Sequence, residues 1–262
     1  YQVVGLGAIG AIEVGILAFL LRAEDALQLP FGRFLYGDLS PIAKGTRFGA
    51  AFVDMTLGFA LVSALVFLAW LTDRVWPLWP AFVLALGFAS GLSLSGHSAA
   101  DAGSSWLSEL ADWAHLAAAS LWVGGLIQLA FVVWPLEPEL RRRAFLGFSR
   151  LATGLIVVIL SAGIYLSVLR LPQLDDLWGE RYGQVLLVKL ALVSLALLWG
   201  AGHHFLVRPA LERGEPLFAR LPRSLAGESM VGMAILLAAA VLVDSKPPPK
   251  PVSQPPLAQQ QR

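Results

Sequence analysis

Long apolar stretches separated by short polar segments dominate this 262-residue chain. A helix needs about 20 residues to cross roughly 30 Å of hydrocarbon, and seven stretches come close to or exceed that length. None of them alternates apolar and polar positions as a barrel strand does, so each is predicted to be a helix. The predicted spans are Val3–Leu21, Thr46–Leu71, Pro77–Gly96, Leu107–Trp134, Phe148–Leu169, Gly183–Val207 and Pro222–Val243.

The pattern therefore predicts an all-α fold, a polytopic transmembrane bundle of about seven helices. Proline is expected to mark helix ends, because it is tolerated in a first turn and breaks a helix interior. Two prolines are predicted to begin helices, Pro77 and Pro222. Three others are predicted to follow helices that have ended, Pro135, Pro172 and Pro209.

Composition agrees with a membrane domain over residues 1–244. The chain is 57% hydrophobic and 14% charged, against roughly 25% charged residues in a soluble domain. Residues 245–262 are rich in Pro and Gln and are predicted to form an extended tail. A net charge of +1 gives no basic field for nucleic acid, so the lipid bilayer is the expected partner. The absence of cysteine excludes disulfides, thiolate zinc sites and iron–sulfur clusters.

The arginines predict the orientation of the bundle, because short cytoplasmic loops carry an excess of basic residues. Two connections are arginine-rich, the one before the fifth predicted span and the one before the seventh. Both are therefore predicted to be cytoplasmic, which places the C-terminal tail on the periplasmic or extracellular side. The arginines concerned are Arg141, Arg142, Arg143, Arg150, Arg208, Arg213, Arg220 and Arg223.

Polar residues inside the spans are the candidate functional groups, because ionisable side chains are costly there. Counted from the predicted outer surface, Asp54, Met55 and His115 lie roughly 10 Å deep, and His97 ends the third span above them. Asp112 lies one turn before His115, where it could accept the imidazole N–H and orient a metal-binding histidine. Imidazole, thioether and carboxylate together predict a copper site, with Met favouring Cu(I) over Cu(II).

A second set of candidates lies near the predicted cytoplasmic surface. His203 and His204 end the sixth span, and Glu228 lies in the seventh. Met230 and Met233 follow on that span three residues apart, so they share one face of the helix. This inner set is a second candidate metal site.

Each candidate also has a structural interpretation. His115 could be a buried histidine bonded to a neighbouring helix, and the pair His203 and His204 could be boundary residues that reach the surface. The membrane methionines could serve packing alone. The charged residues in the spans could form structural ion pairs with one another; these residues are Glu13, Asp54, Lys189 and Glu228.

The segment Ala111–Leu126, with His115 and the run Trp122-Val-Gly-Gly, resembles the signature of the copper resistance protein D family. The succession that follows it is also similar to the family, so that the resemblance covers roughly residues 105–243. Upstream, Gly45–Gly49 and Ser95–His97 are similar to earlier family segments. The downstream features are Phe148–Arg150, Gly163, Tyr165, Tyr182–Lys189 and a closing span after a basic loop.

The resemblance implies a bacterial inner-membrane protein of copper transport and copper resistance. It implies that copper ions move towards the cytoplasm in concert with a periplasmic copper carrier. Family members commonly have eight spans, and the chain begins with Tyr rather than Met, so we expect one N-terminal span to be missing here.

Two alternatives stay open at the level of sequence. A helix with histidine seven residues before tryptophan is also similar to those of haem-dependent membrane protoporphyrinogen oxidases. The chain would then be a redox protein that binds b-type haem through His115 and His97. The bundle could also be an assembly partner without a substrate of its own. No serine triad, phosphate loop or catalytic carboxylate pair is found in a credible context, so a transporter is expected rather than an enzyme.

Overall fold

The computed structural model of the chain describes residues 2–27, 47–88, 105–171, 173–215 and 220–245. Two π-helical segments, Gln128–Val133 and His203–Val207, continue the helices that end at Ile127 and Gly202. The helices are α1 (Gln2–Leu27), α2 (Arg47–Thr72), α3 (Leu78–Phe88), α4 (Trp106–Ile127), α5 (Pro138–Arg170), α6 (Asp176–Gly179), α7 (Arg181–Gly202), α8 (Arg208–Glu212) and α9 (Leu221–Asp244).

The predicted all-α architecture is confirmed, since the described ranges contain helices and no strand. A helix lies at each of the seven predicted spans. Two of these contain shorter apolar helices, Val4–Leu17 and Leu78–Phe88, and the second half of the third predicted span lies outside the described residues. Five helical segments are long and apolar enough to cross a membrane: Val53–Thr72, Trp106–Val133, Pro138–Arg170, Arg181–Glu212 and Leu221–Val243.

The chain divides into two compact units, and the boundary falls within α4. In the first unit, Tyr1–Ala117, α2 packs against both α1 and α3. The indole N–H of Trp113 donates a hydrogen bond to the carbonyl oxygen of Leu86 at 2.9 Å, which ties the start of α4 to α3. The buried apolar residues of this unit include Ala8, Val62, Val66 and Ala81.

The second unit, Ala118–Arg262, is built on the packing of α7 against α9. The π-helical segment that follows α4 packs on α9 and on α5, and α8 packs on α5. The core of this unit includes Trp122, Val123, Leu126, Phe145, Leu155, Ala196, Leu211, Leu225 and Ile235.

Helix α5 begins at Pro138 instead of Phe148, so the predicted start of the fifth span corresponds to a point inside the helix. Glu137 is extended and Pro138 occupies the first turn, where its missing N–H costs nothing. The arginines predicted to lie in a loop therefore lie on this helix, and Arg143 pairs with Glu139 at 2.9 Å. The apolar pattern marks only the part of a helix that lies in hydrocarbon, which explains the difference.

The sixth predicted span does not end before Pro209, which corrects the sequence-based expectation. The chain continues from α7 through the π-helical segment into α8, and Pro209 lies in the first turn of α8. The N–H of Arg208 donates to the carbonyl oxygen of His203, five residues back, as in a π turn. The wider turn lets the chain pass a proline without a break.

Arginine side chains in the first turns of α5 contact two neighbouring segments, the end of α8 and the residue after the π-helical segment Gln128–Val133. Arg142 donates through Nε to the carbonyl oxygen of Leu211 at 2.8 Å, in the last turn of α8, and this oxygen also accepts from the backbone N–H of Gly214. The guanidinium of Arg141 lies 5.4 Å from the ring centroid of Trp134, within cation–π range. The cytoplasmic location of this end stays a prediction.

Replacing Gly183 by alanine is expected to destabilise the second unit. A Cβ atom there would collide with the carbonyl oxygen of Asp176 and lie 2.5 Å from Cα of Leu177, both backbone atoms that cannot rotate away. We expect a loss of about 1–3 kcal/mol, measured by thermal unfolding in detergent. Gly154→Ala is the control, because a Cβ there meets nothing within 4 Å. Equal melting temperatures for the two variants would contradict the prediction.

Candidate functional site

The most deeply buried ionisable group among the described core residues is Glu228, and it is paired with a histidine. Its Oε2 lies 2.7 Å from Nδ1 of His203, and the two side chains are 3% and 11% exposed. The other ring nitrogen of His203, Nε2, lies 2.9 Å from Oγ of Ser224. Both nitrogens of the imidazole are therefore hydrogen-bonded.

Helical spacing explains how the residues of this cluster meet. Ser224 and Glu228 are four residues apart on α9, so they occupy successive turns of one face. The imidazole of His203 bridges these two turns from the neighbouring helix. Trp199 lies four residues before His203 on α7, and its indole N–H donates to Oγ of Ser224 at 2.9 Å. We call Trp199, His203, Ser224 and Glu228 the inner cluster.

Two glycines let α7 and α9 approach closely at the inner cluster. A Cβ on Gly227 would lie 2.7 Å from the indole ring of Trp199, so only glycine leaves room for that ring. A Cβ on Gly200 would lie 3.2 Å from Oε1 of Glu228. The small residues therefore allow the indole and the carboxylate to be buried between the two helices.

Two members of the inner cluster, His203 and Glu228, lie on the wall of a cavity of about 280 Å³ within the second unit. His203, His204 and Glu228 line it, and most of its other lining residues are aromatic or aliphatic. Phe145 contacts the imidazole of His203 edge-on, with the ring centroids 6.2 Å apart. The ring of His204 contacts Phe205 in the same manner at 4.9 Å. The cavity is large enough for an ion together with several water molecules.

The structure brings together only part of the predicted inner set. His203, His204 and Glu228 line the same cavity, whereas Met230 and Met233 do not line it and are 74% and 46% exposed. The methionines lie on other faces of α9, since residues two and five positions after Glu228 point away from it.

The predicted outer set lies in the first unit. Asp54 is exposed and Met55 is part-buried on α2, and Asp112 and His115 are part-buried on α4. His97 lies outside the described residues. Of the residues proposed as structural ion pairs, Glu13 is exposed, Lys189 is part-buried, and Glu228 pairs with His203.

A closed metal site is not found in the part of the chain that the structure describes. No three His, Asp or Glu side chains there come close enough to hold one metal ion. The inner cluster supplies one imidazole with its carboxylate partner, and His204 is a second imidazole on the same cavity. Such a site could bind an ion loosely and release it.

Two members of the inner cluster, Trp199 and Ser224, were not predicted as site residues from the sequence. A signal was present, because each lies four residues before a candidate ligand on a helix that was predicted. It was not decisive, since serine and tryptophan are common in membrane helices and their contact depends on how the two helices are rotated. The π-helical segment that carries both histidines has no sequence signature.

Comparison with known proteins places these residues in a recognised family segment. Residues 142–242, which include the whole inner cluster, match the family model for Copper resistance protein D. The chain is 34% identical over 151 residues to the Copper transport protein CutJ of Bacillus subtilis, covering 56% of this chain and 27% of that protein. It is 33% identical over 165 residues to Copper resistance protein D of Pseudomonas syringae pv. tomato, covering 58% of this chain and 51% of that protein.

The chain therefore spans about half, or less, of the length of these curated relatives. No solved structure gives a significant match to it. The predicted likeness to the copper resistance protein D family is confirmed by the family match and by both relatives.

Replacing Gly227 by alanine is expected to displace the indole of Trp199 and to break its hydrogen bond to Ser224. The indole N–H resonance of Trp199 in an NMR spectrum should shift, and the melting temperature should fall. Gly202→Ala is the matched control on α7, because a Cβ there meets nothing within 4 Å. An unchanged indole resonance in Gly227→Ala would show that the close approach does not hold the ring.

Proposed function

We propose that this chain, which is similar to the copper resistance protein D family, moves copper ions across the membrane and that His203 is the inner copper ligand. The observation that carries the proposal is the buried pair of His203 and Glu228 beside a cavity. This pair lies on helices long enough to span a membrane and within the segment that the family model matches.

The chemistry of the inner cluster suits copper in transit. Imidazole nitrogen is a ligand for copper, and a carboxylate on the opposite ring nitrogen orients the ring and raises its basicity. Glu228 takes this orienting position on Nδ1 of His203. His204 offers a second imidazole on the same cavity. A site with few ligands binds weakly enough to release the ion, as movement along a path requires.

We place a separate capture site in the first unit. His115, oriented by Asp112, would bind the ion there together with His97, Asp54 and Met55. The capture site would face the periplasm of a bacterial inner membrane and receive copper from a periplasmic carrier. The arginine-rich ends of α5 and α8 would then face the cytoplasm.

Copper is favoured over b-type haem as the ligand. The names of both relatives refer to copper, and one of them is named as a transport protein. We therefore do not propose haem binding by His115 and His97.

Substitutions at the inner cluster test this function. The full chain is reconstituted in liposomes, and Cu(I) uptake and Cu(I) affinity are measured. His203→Ala should abolish uptake, and Glu228→Gln should weaken binding roughly 10- to 100-fold, the usual effect of losing a partner of a metal-binding histidine. Glu212→Gln is the control, because that carboxylate is exposed and pairs with Arg208 on the surface. Wild-type uptake by a folded His203→Ala variant would refute the proposed role of His203.

A second substitution separates capture from passage. His115→Ala should abolish uptake from outside the membrane, while the detergent-solubilised variant should still bind Cu(I) through the inner cluster. Normal uptake by His115→Ala would show that His115 is not on the copper path, and it would not affect the proposed role of the inner cluster.

A further inference from the structure

We infer that Ser224 sets the copper affinity of the inner cluster, because its hydroxyl occupies the ring nitrogen of His203 that copper must take. The inference rests on the proposed copper function. It assigns a role to a residue that is not itself an expected copper ligand in that proposal.

The first step is the position of each proton. The indole nitrogen of Trp199 can only donate, so Oγ of Ser224 accepts from it. A carboxylate oxygen accepts, so the tautomer of His203 that matches this contact carries the ring proton on Nδ1 and donates it to Oε2 of Glu228. Nε2 is then the unprotonated nitrogen, and it accepts from the hydroxyl of Ser224 at 2.9 Å. These assignments satisfy every bond in the cluster.

The second step is the choice of nitrogen. A copper ion needs a ring lone pair, and it can gain one only by displacing one of the two hydrogen bonds of His203. Displacement at Nδ1 would also require loss of its proton and would leave the carboxylate of Glu228, 3% exposed, without its partner. Displacement at Nε2 costs less, because Ser224 keeps its bond from Trp199. Copper therefore takes Nε2.

The third step is what remains once the hydroxyl has moved aside. Glu228 still accepts the Nδ1 proton, so the ring keeps its orientation and its basicity. Trp199 holds Ser224 close to Nε2, so the hydroxyl can return when the ion leaves. Ser224 is thus a built-in competitor for one lone pair, and Trp199 is a positioning residue that acts through it.

Removal of this competitor should tighten copper binding. The net value of one hydrogen bond corresponds to a change of roughly 2- to 12-fold in an equilibrium constant. Ser224→Ala should therefore bind Cu(I) about 2- to 12-fold more tightly than the parent protein and release it more slowly. If Ser224 served only to maintain the fold, Ser224→Ala would bind Cu(I) more weakly than the parent protein or lose binding.

The experiment measures Cu(I) affinity of the full chain in detergent by competition with a chromogenic chelator. All variants carry His115→Ala, so that binding at the proposed capture site does not contribute. Ser229→Ala is the control, because this buried serine is on the same helix, α9, and its hydroxyl donates within the helix to the carbonyl oxygen of Leu225 at 2.8 Å. Ser224→Thr keeps the hydroxyl and should retain the parental affinity.

A metal-free readout accompanies the affinity measurement. Nitrogen-15 NMR of the parent protein should show His203 protonated at Nδ1 and hydrogen-bonded at Nε2. In Ser224→Ala the Nε2 resonance should move to the position of an unbonded nitrogen, while Nδ1 stays unchanged.

The outcomes separate the inference from the function on which it rests. Protonation of His203 at Nε2 in the parent protein, or equal or weaker Cu(I) binding by Ser224→Ala, would overturn the role of Ser224. Undiminished Cu(I) binding by His203→Ala would instead overturn the proposed inner copper site.

Discussion

The burial of one carboxylate controls the arrangement of the second unit. Glu228 is almost fully enclosed in a span, where an unpaired charge would be strongly unfavourable. Nδ1 of His203 lies 2.7 Å from Oε2 of Glu228 and compensates for this burial. The contact requires α7 and α9 to lie close together and in one rotational setting. Gly227 and Gly200 allow this approach, and Trp199 and Ser224 complete the hydrogen bonds. Charge, helix packing and glycine positions thus depend on one another.

The same arrangement explains why a structural ion pair and a functional site need not be alternatives. A histidine held by a carboxylate on one nitrogen is a stable packing element, and it is also a copper ligand in its preferred orientation. The second nitrogen is bonded to a neutral hydroxyl, whose loss costs little compared with the loss of a charged partner. Under the proposed function, the hydrogen bonds of the inner cluster would keep it stable without an ion, and His203 could still bind one from the cavity.

Much of the fold follows from the apolar pattern. The pattern predicted helices at the observed places, because membrane helices need long apolar runs whatever their neighbours are. It misplaced the start of α5, because the part of a helix that lies outside hydrocarbon need not be apolar. It also missed the continuation of the helix past Pro209, because a π turn has no characteristic amino-acid composition. His203 and Glu228 were predicted to belong to one inner set of candidate ligands, without a contact between them. Ser224 and Trp199 were not, because their contact depends on helix rotation.

The π turn at His203–Val207 and the proline that follows it are structurally linked, because the π turn makes room for the proline in a continuous helix. A proline in the interior of a continuous α-helix would clash with the preceding turn and leave a carbonyl unbonded. The extra residue of the π turn delivers Pro209 to a first-turn position instead. A regular α-helix through this segment would move Pro209 out of the first turn of α8, so the position of the proline favours the π turn that carries the two histidines. Deletion of one residue between the histidines and Pro209 would therefore change the rotation of both histidines about the helix axis.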